Sequence, residues 1–284
     1  MNWHEYIIKN TEKIIPVFGN DESIVILKKV AEYISKNQFY SIRENSVSNI
    51  NLEKADNILL QLKDGTPLQY ILGEAWFYKY SFKVNKSVLI PRPETEELIE
   101  WVLTYIQELS PEHKYLNILD IGTGSGCIPI TLKKEMPELQ ITSIDVSTQA
   151  LATAKENASL LDTNIEFREL NFLNEETWKE LNMYDIIISN PPYIPANEKE
   201  KLSINVRNHE PGLALFVPEN KPLLFYEKIA TFGQSHVQND GVIFLELHKD
   251  FAGETQKLYE EEGYKNVIIK KDISGNERIL KANK

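Results

Sequence analysis

The spacing of apolar residues changes twice along the chain, and the changes divide it. Up to residue 72 the period is helical. Ile24, Leu27, Ala31 and Ile34 recur at three- and four-residue steps behind the polar pair Asn20-Asp21, which predicts an amphipathic helix with an N-cap. Leu52, Ala55, Leu59 and Leu62 repeat the pattern and Gly65 closes it, while Trp3, Ile7 and Ile14 predict a helix before both. A small helical bundle over residues 1–72 is therefore expected. From Trp76 the period becomes two. Trp76, Tyr78, Tyr80, Phe82 and Val84 alternate with Lys79, Ser81 and Lys83, the mark of a half-exposed strand, so residues 73–90 read as a hairpin-like connector. Pro91-Arg-Pro-Glu-Thr-Glu96 then opens a helix to about Leu109. Beyond it, strands near 116–121, 140–145, 165–169, 184–189 and 241–247 alternate with helices. Val267–Lys270 and Arg278–Lys281, joined through Ser274-Gly-Asn276, close as an antiparallel pair. The pattern predicts an α/β fold over 91–284: a doubly wound, mostly parallel sheet of seven strands.

Two interruptions of this pattern carry chemistry. The run Tyr184-Asp-Ile-Ile-Ile188 is continuous, as in a strand buried on both faces, and Ser189-Asn-Pro-Pro-Tyr193 cannot extend it. The chain must turn out at a strand's carboxyl end, where open α/β sheets bind ligands. The turn offers acceptors: the Asn190 side-chain oxygen and backbone carbonyls, among them that of Pro191. With Pro192 and the flat ring of Tyr193 they suit a planar group bearing an NH2. The other interruption is Ile118-Leu-Asp-Ile-Gly-Thr-Gly-Ser-Gly126, a strand running into a glycine-rich turn and a helix. Gly122, Thr123, Gly124, Ser125 and Gly126 allow close backbone approach to a ligand and leave N–H groups at a helix N-terminus. The Gly-x-Gly-x-Gly spacing is neither the dinucleotide fingerprint nor a phosphate-binding Walker loop. Asp145, ending the next strand, can accept hydrogen bonds from both ribose hydroxyls of a nucleoside.

In this order the two motifs resemble a class I S-adenosylmethionine-dependent methyltransferase acting on a planar nitrogen. Pro67-Leu-Gln-Tyr-Ile-Leu-Gly73, Leu89-Ile-Pro-Arg-Pro-Glu-Thr-Glu96 and His209-Glu-Pro-Gly-Leu-Ala-Leu215 narrow the resemblance to the PrmC/HemK family, over nearly the whole chain. The resemblance implies methyl transfer from S-adenosylmethionine to the glutamine side-chain amide in the Gly-Gly-Gln loop of peptide-chain release factors. It implies a cofactor site at Gly122–Gly126, Asp145, Phe172 and Asn190, with Phe172 stacking on the adenine. It implies catalysis and substrate binding at Asn190, Pro191, Pro192 and Tyr193, and residues 1–72 as the substrate-recognition domain. Asn171 stands where an acid is common, and His248 where glycine is usual. Asn190-Pro-Pro-Tyr193 is shared with adenine methyltransferases of nucleic acid, the alternative reading. A nicotinamide oxidoreductase would need other glycine spacing, and a non-catalytic nucleotide-binding module would not need the substrate turn.

Charge weighs between these. The net charge is −11, and residues 1–80 contribute only 9 basic against 10 acidic residues, so the later part is the acidic one. That opposes a broad phosphate-binding surface, and no duplex nucleic-acid binding is expected. The single cysteine, Cys127, excludes an internal disulfide, and the five histidines have no ligand spacing, so no metal site is expected. No apolar run reaches membrane-spanning length and the N-terminus lacks a signal-peptide layout. A cytoplasmic monomer is the expectation. The stretch from Ile194 to Pro222 is long enough to read as a functional loop, with Glu210-Pro211 as an anchor rather than an acid–base pair.

Overall fold

The computed structural model describes residues 1–109 and 115–284. The helical period at the N-terminus folds into α1 (Trp3–Thr11), α2 (Ile15–Phe18), α3 (Asn20–Ser35), α4 (Phe39–Ile42), α5 (Asn49–Lys63) and α6 (Leu68–Leu72). A reciprocal capping box starts α1: Asn2 Oδ1 accepts from the Glu5 N–H at 2.8 Å, and Glu5 Oε2 accepts from the Asn2 N–H at 3.0 Å. The expected stripes form the core, Leu27 and Ala31 meeting Leu59 and Leu62, with Ile26, Val30 and Ile58 completing them. Ile24 and Ile34 lie half-buried at its margin. Gly65, after α5, takes φ +83°, the left-handed residue that ends a helix.

The second part comprises β1 (Glu74–Phe77), β2 (Tyr80–Lys83), α7 (Pro93–Glu108), β3 (Asn117–Ile121), α8 (Cys127–Glu135), β4 (Gln140–Asp145), α9 (Thr148–Leu160), β5 (Glu166–Glu169) and β6 (Tyr184–Ser189). It continues with β7 (Ile194–Pro195), α10 (Ile204–His209), α11 (Gly212–Leu215), β8 (Phe216–Val217), α12 (Leu224–His236), β9 (Val237–Glu246), α13 (Ala252–Glu261), β10 (Lys265–Lys271) and β11 (Glu277–Asn283). Seven strands form one sheet in the order β10-β11-β9-β6-β3-β4-β5, antiparallel only at β11. Chain order reverses between β3 and β6, so the switch point lies at their carboxyl ends. The central strands are apolar on both faces, Ile186, Ile187 and Ile188 each at most 1% exposed.

Two structural details differ from the sequence pattern. In the β1–β2 hairpin the inward residues are Ala75, Phe77, Phe82 and Val84, while Trp76 is 74% exposed. Tyr78 sits in the turn at φ +57°, and this left-handed residue reverses the alternation between the strands. The 194–222 stretch is not structureless: β7 and β8 pair in parallel within it, and α10 and α11 lie between them.

The chain forms two compact units, residues 1–73 with 202–209, and 74–201 with 210–284. The stretch expected to form a single domain from residue 91 onward thus lends Leu202–His209, and α10 with it, to the first unit. There His209 Nε2 lies 3.2 Å from the Asp64 carbonyl oxygen.

Candidate active site

Sheet register brings the motifs together. Ile121 lies opposite both Ile144 and Ser189, so the next residues, Gly122, Asp145 and Asn190, stand side by side at the strand ends. The Ser189 hydroxyl donates to the Ile121 carbonyl at 2.7 Å, tying the two strand ends. Above them opens a cavity of about 520 Å³, of the size that holds a small ligand. Gly122–Ser125, Asp145, Phe172, Asn190, Pro191 and Pro192 line it, with Asn171 beside Phe172.

The glycine turn does less donating than its sequence suggests. Gly122 and Thr123 N–H groups donate to the Ile144 carbonyl at 2.9 and 3.1 Å, Gly126 N–H to the Thr123 carbonyl at 2.8 Å, and Gly124 N–H to Asp145 Oδ2 at 2.9 Å. These donors are spent within the protein, so the turn is a close-fitting wall rather than an anion nest. Gly124 and Gly126 have φ +54° and +80°, and a Cβ at Gly126 would lie 2.9 Å from Ile130 Cδ1. Asn157, fully buried, braces the turn: its amide donates to the carbonyls of Ser125 and Lys83 at 2.9 and 3.0 Å.

Asp145 keeps acceptor capacity toward the cavity after binding Gly124 and the Ser147 N–H at 2.9 Å. Burial pushes its pKa up, and the N–H groups of Ser147, Gly124 and Val146 work against that. Behind the turn, Asp120 is wholly buried and its pKa is pushed up to about 7, chiefly by burial. The hydroxyls of Thr123 and Ser143 hold it down from nearby, though neither reaches full hydrogen-bond geometry. Phe172 is 5% exposed, its ring 5.5 Å from Trp178 and 5.3 Å from Phe232, so it is at once core and cavity wall. Asn171 Oδ1 accepts from the Leu173 N–H at 3.2 Å.

Tyr193 is not brought to the cavity wall. Its hydroxyl donates to Glu246 Oε1 at 3.1 Å and its ring meets His248 edge-on at 5.8 Å. Burial, then the Glu246 charge, raises its pKa far above the ordinary phenol range, so it stays protonated. His248 is held down by burial, and its Nδ1 accepts from the Asp250 N–H at 3.3 Å, a capping role. Cys127 is buried and pushed up to about 12, which leaves it inert.

Two residues escaped the sequence reading. Thr95 reads there as part of a helix opening and Glu246 only as part of the strand near 241–247. In the structure Asn190 Nδ2 donates to Thr95 Oγ1 at 3.0 Å, and Thr95 Oγ1 donates to Glu246 Oε2 at 2.6 Å. The available signal was a carboxylate ending the apolar run Val242–Leu245, a costly placement unless its partners are waiting. Among the described residues no cluster of three His, Cys, Asp or Glu side chains is placed to hold a metal, and no helix is long and apolar enough to cross a membrane.

A nucleoside carrying no phosphate fits this chemistry. The acid ends β4 where ribose hydroxyls would lie, the wall is apolar at Phe172, and the N–H groups of Gly122, Thr123, Gly124 and Gly126 are already bonded within the protein. Fold and site together define a class I S-adenosylmethionine-dependent methyltransferase. A methyltransferase small domain model matches residues 103–207. The chain is 48% identical to the release factor glutamine methyltransferase of Flavobacterium psychrophilum, over 84% of this chain and 82% of that one, and 40% identical to that of Bacteroides thetaiotaomicron, over 81% and 80%. It belongs to the release factor glutamine methyltransferase family. In fold it is similar to the Thermus thermophilus 16S rRNA N2 G1207 methyltransferase solved with AdoMet and guanosine, at TM-score 0.52 and 15% identity, over 74% of this chain and 49% of that one.

Proposed function

We propose that this chain methylates the side-chain amide nitrogen of the glutamine in the Gly-Gly-Gln loop of peptide-chain release factors. The glycine turn, Asp145 and Phe172 hold S-adenosylmethionine, which when bound supplies a methyl group already activated on a sulfonium. The chain's task is the nucleophile, because an amide nitrogen's lone pair is delocalised into its carbonyl. Asn190 Oδ1 and the Pro191 carbonyl accept the two N–H groups of the glutamine amide and hold its nitrogen toward the cavity. Both acceptors favour the positive charge that grows on nitrogen during transfer, and the fixed placement contributes the rest. No side chain has to remove a proton first, since the N–H becomes acidic only as the nitrogen is alkylated. Substrate selection falls to the first unit, whose surface supplies contacts that one glutamine side chain cannot.

One arrangement carries this reading: the Asn190 amide at the rim of the cavity, its NH2 already bound by Thr95. Incubation with isotopically labelled S-adenosylmethionine and either release factor or double-stranded DNA, followed by mass spectrometry, tests it. Label on the Gly-Gly-Gln glutamine is expected. Label on adenine would assign the site to nucleic acid instead.

A further inference from the structure

The register that sets Asn190 beside Gly122 also sets it beside Glu246, because Ser189 of β6 lies opposite Leu245 of β9 and each chain continues by one residue. Thr95, in the first turn of α7, stands between them. Thr95 is 2% exposed and Glu246 1%, so water does not settle how their hydrogens point.

We propose that Thr95 and Glu246 are positioning residues which fix the Asn190 side chain with its NH2 inward and its oxygen toward the substrate. The proposal rests on the reading of Asn190 given above. A threonine hydroxyl has one hydrogen and two lone pairs, and an ionised carboxylate only accepts. Glu246 takes the Thr95 hydrogen on Oε2 at 2.6 Å and the Tyr193 hydrogen on Oε1 at 3.1 Å. Thr95 Oγ1 then has only lone pairs to show Asn190. The amide must answer with Nδ2, which lies at 3.0 Å. With the amide reversed, two oxygens would face each other in a buried site with no hydrogen between them. Asn190 Oδ1 is thereby the atom left for an incoming N–H.

The carboxylate charge is the origin of this direction. Burial and, least, the Glu94 charge work against it and leave the carboxyl pKa raised, while the Thr95 and Tyr193 hydroxyls and the Arg278 guanidinium work for it. Arg278 itself is anchored, donating to the Leu247 carbonyl at 2.9 Å and pairing with Asp272 at 3.3 Å. Replacing the carboxylate by an amide of the same shape removes the direction. In Glu246→Gln the new NH2 can donate to Thr95 Oγ1, freeing the threonine hydrogen to bind Asn190 Oδ1 and turn a donor toward the substrate.

Three near-isosteric variants and one alanine control test this, each assayed for single-turnover methylation of release factor and, by calorimetry, for S-adenosylmethionine binding. Thr95→Val and Glu246→Gln are expected to lower the methylation rate by roughly 10²-fold, the scale of losing one preorganised contact, with cofactor Kd unchanged. Thr95→Ser, which keeps the hydroxyl, is expected to restore the parent rate, an outcome that a merely structural role for the Thr95 methyl would not give. Asn190→Ala is the control. If it is slow while folded Thr95→Val runs at the parent rate, the positioning role is wrong and the Asn190 reading stands. If Asn190→Ala itself runs at the parent rate, both fall. Thermal melts of each variant exclude loss of folding as the cause, and Thr95→Val decides the question should Glu246→Gln not fold.

Discussion

Arg92 and Glu210 lie 118 positions apart, yet their side chains meet at 2.5 Å, with the glutamate side chain only 1% exposed. Glu210 Oε2 also accepts from the Ile90 N–H at 3.3 Å. One carboxylate thus pins the proline-rich segment before α7 to the start of α11, and both segments contribute walls to the cavity. Arg92→Ala leaves that carboxylate buried with a single weak donor. It is expected to destabilise the protein by about 1–3 kcal/mol. Equilibrium urea unfolding checks this; a midpoint unmoved from the parent would show that the pair contributes nothing.

Asp145→Ala removes the acceptor from the ribose position and frees the Gly124 N–H. S-adenosylmethionine affinity should fall roughly ten- to a hundred-fold, the range for a charge-assisted hydrogen bond. Calorimetry on the folded variant measures it, and unchanged affinity would remove Asp145 from the cofactor site.

Asn190→Asp is a sharper probe than its conservative appearance suggests. The carboxylate still accepts from a substrate N–H, but it cannot donate to Thr95, whose hydrogen is committed to Glu246. Two carboxylates would then compete for one hydroxyl. Turnover is expected to fall as far as in Asn190→Ala, by about 2.7 kcal/mol of barrier or more. Substantial retained activity would mean that Thr95 can turn its hydrogen to residue 190.

Gly126→Ala and Gly124→Ala separate crowding from backbone strain. Both glycines have positive φ, which costs a non-glycine residue about 1–2 kcal/mol. At Gly124 an added Cβ meets nothing within 4 Å, whereas at Gly126 it meets Ile130 Cδ1 at 2.9 Å and Ala154 Cβ at 3.2 Å. Gly126→Ala is therefore expected to lower the melting temperature more. Equal losses would show that Ile130 yields without cost.

The pH dependence of stability should carry the mark of Asp120. Its pKa is near 3.9 in an unfolded chain and about 7 here, raised by burial first and by the Asp145 charge least. The folded state therefore holds the proton more tightly. The contribution is complete below about pH 4 and is lost as the pH rises through 7. Asp120→Asn removes this loss, so its melting temperature relative to the parent should climb from pH 5 to pH 8. A constant difference across that range would contradict the assignment.

What could be read from the sequence was local or lay at strand ends. Gly122–Gly126, Asp145 and Asn190 each end a strand whose apolar run is visible, and a parallel sheet puts all such ends on one edge. The inward face of the β1–β2 hairpin was misleading because one left-handed residue, Tyr78, shifts the alternation, and nothing in its side chain announces that conformation. Tyr193 reads as a stacking face on composition alone, but its hydroxyl has a buried carboxylate to satisfy. Thr95 and Glu246 are separated by 151 positions, and only the packing of α7 against β9 makes them neighbours. Their pairing is a property of topology, beyond any local pattern.

The loan of Leu202–His209 to the first unit has a consequence for biosynthesis. A ribosome adds about 5–20 residues per second, and His209 follows its partner Asp64 by 145 positions, so the two are separated by roughly 7–30 s of synthesis. Over that interval Gly65 has Val17 beside it but lacks the covering side chains of Ile204 and His209. The part of the chain made first is thus completed late, after the strands of the glycine turn and of Asn190 have already emerged. A nascent chain that halts before residue 209 carries the bundle's own apolar core but lacks its last helix.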